Sequence, residues 1–427
     1  MDDVRVKRSR REFIKLTAAL TFVGARATAA PTRRAGDMRV VVIGGGFAGA
    51  TCARSLKQAD PGLRVTLITP TDRFITCPFS NYVIAGWRDV ATITQHYHAI
   101  AKLGVEVLRE TATAIDPVGR RIVLSRGRRL SYDRLVVAPG IDFQPNGIEG
   151  YDAAAAEKMP HAWKAGAQTL KLRQQLRALR DGANAILVAP PNPARCPPAL
   201  YERASVIAHY LKRHKPKSKV LILDAKESFY KQALFMDGWD KLYPGRIEWI
   251  PGAKGGRVVA VDAKRMTVEG ELDTFTGGVI NLVPAQIAGK LARDAGLTDA
   301  SGWCPVDLRT FESRKAKDVY VIGDAAIADP MPKSAAAASS QGKIAAAAIV
   351  AGARGERMPD WTFANACYSL LAPDYGISLG SAYRATPEGI KEFPIANEAG
   401  APDGAAPATD AVSAARWYAR VVADAWG

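Results

Sequence analysis

The chain has 427 residues, 58 of them basic and 42 acidic, for a formal net charge of +16, and 48% are hydrophobic. That length suggests two or three domains, and that apolar content excludes a disordered chain. The basic residues are scattered rather than interleaved with aromatics, which argues against a nucleic acid partner and suits an acidic protein or an anionic lipid surface.

The first element is "SRREFIKLTAALTFVGARATAA". Arg10 and Arg11 precede Phe13, Ile14 and Lys15, then a short apolar stretch and the small-residue site Ala27-Thr28-Ala29. The pattern resembles a twin-arginine signal over residues 1–29, and predicts export to the periplasm. Its apolar stretch is too short to span a bilayer, so no transmembrane segment is expected in the mature chain. Residues 1–29 carry seven basic and three acidic side chains, which leaves +12 on the remainder. The five cysteines are Cys52, Cys77, Cys196, Cys304 and Cys367. An odd count in an oxidising compartment leaves at least one outside any internal disulfide. No C-x-x-C-H, paired C-x-x-C or histidine cluster occurs, so neither attached haem nor a metal site is expected.

Next, "MRVVVIGGGFAGATCARSLKQADPGLRVTLITP" reads strand, glycine turn, helix, strand, with strands at Val40 to Ile43 and Val65 to Ile68. Gly44, Gly46 and Gly49, with Gly45 between, make G-x-G-x-x-G. They permit a tight turn, close approach to a pyrophosphate, and close helix–strand packing. The acid expected at the end of the second strand is replaced by Thr69, which puts the ribose contact in question; Asp72 is a candidate substitute. About thirty residues past the loop, "RFITCPFSN" holds Cys77 just before a proline. The strand "YDRLVVAPG" ends in the turn Pro139-Gly140, and "VYVIGDAA" places Asp324 after a strand and a glycine. In this order the three segments resemble the signatures of two-dinucleotide-binding-domain flavoproteins, whose aspartate binds the ribityl chain of FAD. The alanine-rich helix after Asp324 is expected to aim its positive dipole end at the flavin pyrimidine. Lys333 and Lys343 either add to that charge or are surface lysines.

Between the second and third signatures a further strand–helix–strand pattern runs through Ala185 to Ala189, Tyr201 to Arg213 and Val220 to Leu223, ending in Asp224. Its turn reads "PPNPARCPP" where a nucleotide site needs glycines. Prolines remove N–H donors and fix φ, so binding of NAD(P)H is disfavoured. Cys196 in this turn, near a helix start and beside Arg195, is either a thiol of lowered pKa or a structural cysteine.

Taken together, "VVVIGGGFAGAT", the "TC" and "SN" of "TCPFSN", "VVAPGI", "PHAWKAG", "RCPP", "YERAS", "HKPKSKV", "GWCPVD", "GDA", "PMPKS", "SQGK" and "CYSLLAPDYGIS" resemble the flavoprotein subunit of flavocytochrome c sulfide dehydrogenase. The resemblance implies an α/β fold with two Rossmann-like, glutathione-reductase-like domains and a C-terminal interface domain. The FAD-binding domain would take residues 38–150 and 290–350, the second Rossmann-like domain 151–289, and the interface domain 351–427. It also implies a covalent FAD, joined by a thioether from Cys77 to the 8α-methyl, and a redox disulfide between Cys196 and Cys367. Sulfide would be the substrate and a c-type cytochrome subunit the electron acceptor. Pro78 and Phe79 depart from the family's pattern next to Cys77. Glu202, one helical turn past Cys196, is either an acid/base near that disulfide or a carboxylate meeting the helix dipole. Cys52 and Cys304 read as buried structural residues, and Glu398 to Ala411 as a loop by composition.

Two alternatives use the same cysteines. One is an accessory flavoprotein that reactivates a thiol-bearing carrier in a periplasmic sulfur-oxidising system. The other is a sulfide:quinone reductase, for which the short amphipathic "ARWYARVVADAW" would have to meet a membrane.

Overall fold

The computed structural model describes residues 38–395 and 407–427, so the expected export signal lies outside the described residues. Strand β1 (Arg39–Ile43) leads through the glycine turn into helix α1 (Phe47–Ala59) and back to β2 (Arg64–Thr69). Val40 to Ile43 are buried on both faces, as a strand covered by helices on either side requires. Helix α2 (Ser80–Ala85), β3 (Glu106–Arg109) and β4 (Arg134–Val137) follow.

The central unit is β5 (Ala185–Val188), α3 (Ala199–His214), β6 (Val220–Leu223), α4 (Gln232–Leu242), β7 (Ile247–Ile250) and β8 (Val279–Leu282). Its parallel sheet has the order β7-β6-β5-β8, again with four consecutive buried residues in β5. Then β9 (Val319–Val321) returns to the first sheet, giving the order β9-β4-β1-β2-β3 with all neighbours parallel. Two parallel sheets joined by crossovers make two doubly wound units, the second inserted into the first.

Helix α5 (Ala335–Arg354) runs from the end of β9 across α1. The approach is close because both faces are small: a Cβ on Gly342 would stand 2.5 Å from the Ala48 carbonyl oxygen. Thr51 and Ser339 hydroxyls meet at 3.3 Å in this contact, and Cys52 is fully buried there. The chain ends in an antiparallel meander, β10 (Thr362–Ala372), β11 (Tyr375–Thr386) and β12 (Gly389–Ile395), and helix α6 (Pro407–Trp426). Helix therefore begins inside the stretch that composition marks as loop through Ala411. Its start is held by tertiary contact: the Ser378 hydroxyl on β11 donates to the Asp410 carboxylate at 2.8 Å.

The amphipathic face of α6 is spent within the chain. Ala414, Tyr418, Val421, Ala425 and Trp426 are buried, and Trp426 stacks on Phe74 at 5.3 Å and meets Phe47 edge-on at 4.9 Å. Among the described residues no helix is long and apolar enough to cross a membrane. Because Phe47 opens α1, the last turn of the chain braces the first turn after the glycine loop. Trp426→Ala removes that brace, and the expected loss is about 3–5 kcal/mol of stability, read as a lower denaturant midpoint.

Candidate active site

At the glycine turn Gly44 has φ +102°, and a Cβ there would lie 2.2 Å from the Ala138 carbonyl oxygen. A Cβ on Gly49 would come within 1.9 Å of the Gly44 carbonyl oxygen, so only glycine lets α1 sit this close to the turn. Gly46 is the N-cap of α1 and supplies no capping side chain, and the first turn holds no acid. The amides at the start of α1 are thus free to hold a phosphate group. Gly45 lies against Tyr97, whose hydroxyl donates to the Gly45 carbonyl at 3.0 Å and lies 3.3 Å from the Thr69 hydroxyl. Asp72 is exposed, lies 3.8 Å from Arg73, and its charge reaches Tyr97. At the end of β4, Gly140 has φ +66° and open space around its Cα, and Pro139 backs onto Gly289.

Asp324 follows β9 at a buried turn. Its carboxyl stands 3.8 Å from Arg195 and, among the described residues, accepts no hydrogen bond. Burial raises its pKa, with Arg195 and Lys333 opposing. A half-buried acceptor left available, a helix start without a cap and glycines with no room for a side chain together fit a dinucleotide such as FAD. The two lysines have different surroundings. Lys333 donates to the backbone carbonyls of Asp324 and Ala326 at 2.8 and 2.9 Å, with its ammonium 3.8 Å above the Trp303 ring. It braces the Asp324 turn and packs near Cys304, which is buried and pushed up to about 12. Lys343 pairs with Asp424 of α6 at 2.7 Å, and both side chains are about two-fifths exposed, as the surface-lysine reading expects.

Three cysteines converge beside this end of the fold. The Cys77 thiol, in the loop before α2, donates to the Trp163 carbonyl at 3.3 Å, and the Arg195 guanidinium donates to the same oxygen. Cys196 adopts φ +52°, a left-handed conformation that costs roughly 1–3 kcal/mol for a residue with a side chain. Its amide is held by the Lys333 carbonyl at 2.7 Å. Cys367 lies in the middle of β10. All five cysteines are free thiols in the structure, but Cys196 feels the charge of Cys367 and of Cys77.

Of the two readings left open for Cys196, the lowered thiol pKa is not the one its surroundings favour. Burial raises it well above its usual value, the charges of Cys367 and Glu202 raise it further, and Arg195 opposes them only in part. A helix start and one cation are outweighed by desolvation, although the residue is only partly buried. Cys367 is likewise raised by burial, with Lys231 pulling down and Glu202 pushing up.

Glu202 holds the three segments together. Its carboxylate accepts from the Tyr82 hydroxyl at 2.7 Å, the Asn81 amide at 2.7 Å and the Leu370 backbone N–H at 2.9 Å. Those donors stand just past Cys77 and just past Cys367, while Glu202 itself stands just past Cys196 on α3. Burial raises its pKa and the three donors restrain the rise. Next to it, Arg203 is fully buried and reaches the Asn81 and Asn281 side chains and the His161 and Ala162 carbonyls at 2.7 to 3.0 Å. Burial lowers its pKa to about 10. Sequence reasoning assigned no role to Asn81, Tyr82, Arg203 or Lys231. The available signal was an adjacent acid and base, "YERAS", inside an otherwise apolar helical stretch.

In the second unit the acceptors that a nucleotide would meet are already engaged within the chain. Asp224, at the position of a ribose-binding acid, is fully buried and accepts from the Tyr201 hydroxyl at 2.5 Å, the Trp249 indole at 3.1 Å and the Lys226 ammonium at 2.7 Å. Tyr201 is stacked on Phe229 at 3.7 Å across the crevice. Among the described residues no group of His, Cys, Asp or Glu is placed to hold a metal ion.

Three family models match the chain. They are the central region of the sulfide dehydrogenase [flavocytochrome c] flavoprotein chain at residues 169–284, the pyridine nucleotide-disulphide oxidoreductases at 38–188, and the flavin-binding region of flavocytochrome c sulphide dehydrogenase at 359–426. The sulfide dehydrogenase [flavocytochrome c] flavoprotein chain of Chlorobaculum thiosulfatiphilum is 56% identical over 48 residues, which are 11% of this chain and all of that sequence. The mitochondrial sulfide:quinone oxidoreductase of Mus musculus is 22% identical over 312 residues, 71% of this chain and 69% of that one. Among solved structures, the sulfide:quinone oxidoreductase of Aquifex aeolicus superposes with a TM-score of 0.70 at 19% identity, over 91% of this chain and 92% of that one. That likeness shows the fold.

Two outcomes test the geometry. In Glu202→Gln an amide N–H₂ replaces one acceptor and faces the donors; the expected loss is about 1–3 kcal/mol, read by denaturant unfolding. His161 accepts from the Trp163 N–H at 3.0 Å through Nδ1, and burial with nearby cations lowers its pKa from 6.5 to about 4. A base whose folded pKa is depressed stays neutral in the fold while the unfolded chain takes up a proton. Its contribution is present above pH 6.5 and lost as pH falls toward 4. His161→Asn keeps an acceptor and does not titrate, so its stability should fall less steeply across that window.

Proposed function

The chain belongs to the family of the flavoprotein chain of flavocytochrome c sulfide dehydrogenase, and on that premise we propose that it oxidises hydrosulfide and passes the electrons to a c-type cytochrome. The observation that carries this reading is the convergence of Cys77, Cys196 and Cys367, from three distant segments, beside Asp324. FAD, when bound, takes up an electron pair and releases its electrons singly, which suits a sulfur donor and a haem acceptor. Gly44, Gly46 and the start of α1 would hold its pyrophosphate and Asp324 its ribityl hydroxyls. Cys77 would anchor it by a thioether, which prevents its loss.

Cys196 and Cys367, joined as a disulfide, would be the bond that hydrosulfide opens by thiol–disulfide exchange. Both oxygens of Glu202 already hold donors, so its role is to position the three segments rather than to carry a proton. The filled crevice around Asp224 supports sulfide over NAD(P)H as the electron source. The buried apolar face of α6 supports a soluble cytochrome over a membrane quinone as the acceptor. The arginine pair Arg10-Arg11 and the small-residue site Ala27-Thr28-Ala29 support export to the periplasm.

The test is sulfide-dependent reduction of a c-type cytochrome by the purified protein. Cys196→Ser and Cys367→Ser should each lower kcat/KM by about a hundredfold or more with flavin content unchanged, and NADH should not replace sulfide. After acid precipitation the colour should stay with the protein, and the Cys77 peptide should carry the mass of one FAD. Faster reduction of quinone than of cytochrome, or turnover indifferent to both serines, would overturn the reading.

A further inference from the structure

Within the proposed reaction, hydrosulfide has two sulfurs to choose between. The choice in thiol–disulfide exchange depends on access to the attacked sulfur and on how well the departing thiolate is stabilised. The two cysteines differ on both counts.

Cys196 lines a small pocket at the mouth of the filled nucleotide crevice, with Arg195, Lys226, Tyr201 and Trp163 around it; Cys367 does not line it. Its volume is about 10 Å³, room for one small molecule on the scale of water. Its walls carry Arg195, 3.8 Å from the Asp324 carboxyl, and Lys226, paired with Asp224 at 2.7 Å.

Cys367 faces Lys231. This lysine caps the start of α4 at φ +65° and is 8% exposed. Its ammonium donates to the Cys367 carbonyl at 2.6 Å and lies 3.5 Å from the Ile377 carbonyl. Among the described residues no carboxylate lies within ion-pair distance of it. A buried cation is ordinarily paired, because desolvation without a counter-charge is costly. If the two carbonyls were all that had to be held, a neutral donor would serve at lower cost. Its charge acts on two groups, lowering the pKa of Glu202 and that of Cys367, and of these Cys367 is the one that gains a charge in the reaction. The other titratable groups facing Cys367 are Glu202 from α3, Cys196 from the preceding turn and Tyr383 from β11. Glu202 works against the thiolate, and of the groups acting on Cys367 Lys231 is the one that favours it.

We propose that Lys231 is a positioning residue that sets the direction of disulfide opening, by stabilising the thiolate of Cys367 so that this sulfur departs. The inference rests on the disulfide reading above. In the step, the hydrosulfide sulfur bonds to Cys196 Sγ and the Cys196–Cys367 bond breaks. Its electron pair remains on Cys367 Sγ, and the proton stays on the terminal sulfur of the Cys196 persulfide. One negative charge enters as hydrosulfide and one is left on Cys367, next to the ammonium.

The test uses the flavin-containing full chain without a cytochrome, treated with one equivalent of sulfide, quenched with iodoacetamide and mapped by peptide mass. In the wild type the extra sulfur should sit on the Cys196 peptide. Lys231→Gln keeps a donor for the carbonyls and removes the charge, and should raise the share of extra sulfur on Cys367 about tenfold; Lys231→Arg should restore the wild-type pattern. In the reduced protein at neutral pH, Lys231→Gln should slow alkylation of Cys367 about tenfold and leave Cys196 little changed. Extra sulfur confined to Cys196 in Lys231→Gln, with Cys367 alkylation unslowed, overturns the assignment and makes Lys231 a structural pin. A wild type that forms no persulfide on either cysteine overturns the disulfide reading itself, and this inference with it.

Discussion

A single buried carboxylate sets the geometry of the site. Glu202 accepts three hydrogen bonds from donors carried by α2 and β10 while standing on α3, so one side chain fixes the segments of Cys77, Cys196 and Cys367 against each other. The arrangement is demanding, since each donor would otherwise be buried without a partner. Arg203, on the same turn of α3, repeats the device toward Asn81, Asn281 and the His161–Ala162 backbone. Backbone strain gathers around this core: Cys196, Phe79, Ala162 and Lys231 all adopt positive φ. Such conformations persist only where surrounding contacts over-determine them.

The two doubly wound units have diverged at their switch points. In the first, glycines keep the space and the helix start that a pyrophosphate needs. In the second, the same topology is retained, yet prolines replace the glycines, Tyr201 and Phe229 stack across the crevice, and Asp224 spends its acceptors on Tyr201, Trp249 and Lys226. The freed turn carries Cys196 and Arg195. Arg195 joins the two ends, reaching both the Trp163 carbonyl shared with Cys77 and the carboxyl of Asp324.

Much of the fold was legible because its signals are local. Valine runs, the glycine turn and the proline turn each specify a backbone within a few residues, and the expected helix Tyr201 to Arg213 differs from the observed one by a residue or two at each end. The site was legible only in part. Cysteines at 77, 196 and 367 carry no spacing that pairs them, and resemblance alone brought them together. Lys231, Asn81 and Tyr82 act through contacts across the whole chain, for which no local pattern exists. The two readings of Cys196 could not be separated in sequence because Arg195 and a helix start are visible there while burial is not, and burial is the larger effect. The ion pair of Lys343 was not legible because its partner Asp424 lies in a helix at the far end of the chain.

The central claim is that Cys196 and Cys367 form one redox pair while Cys52 and Cys304 stay inert in the core. The most direct measurement is peptide mapping of the oxidised protein without reduction, with alkylation before and after unfolding. A crosslinked peptide joining Cys196 to Cys367, with Cys52 and Cys304 alkylated only after unfolding, is the expected result. Cys196 and Cys367 both alkylated in the oxidised protein, or either joined to Cys52 or Cys304, would contradict it.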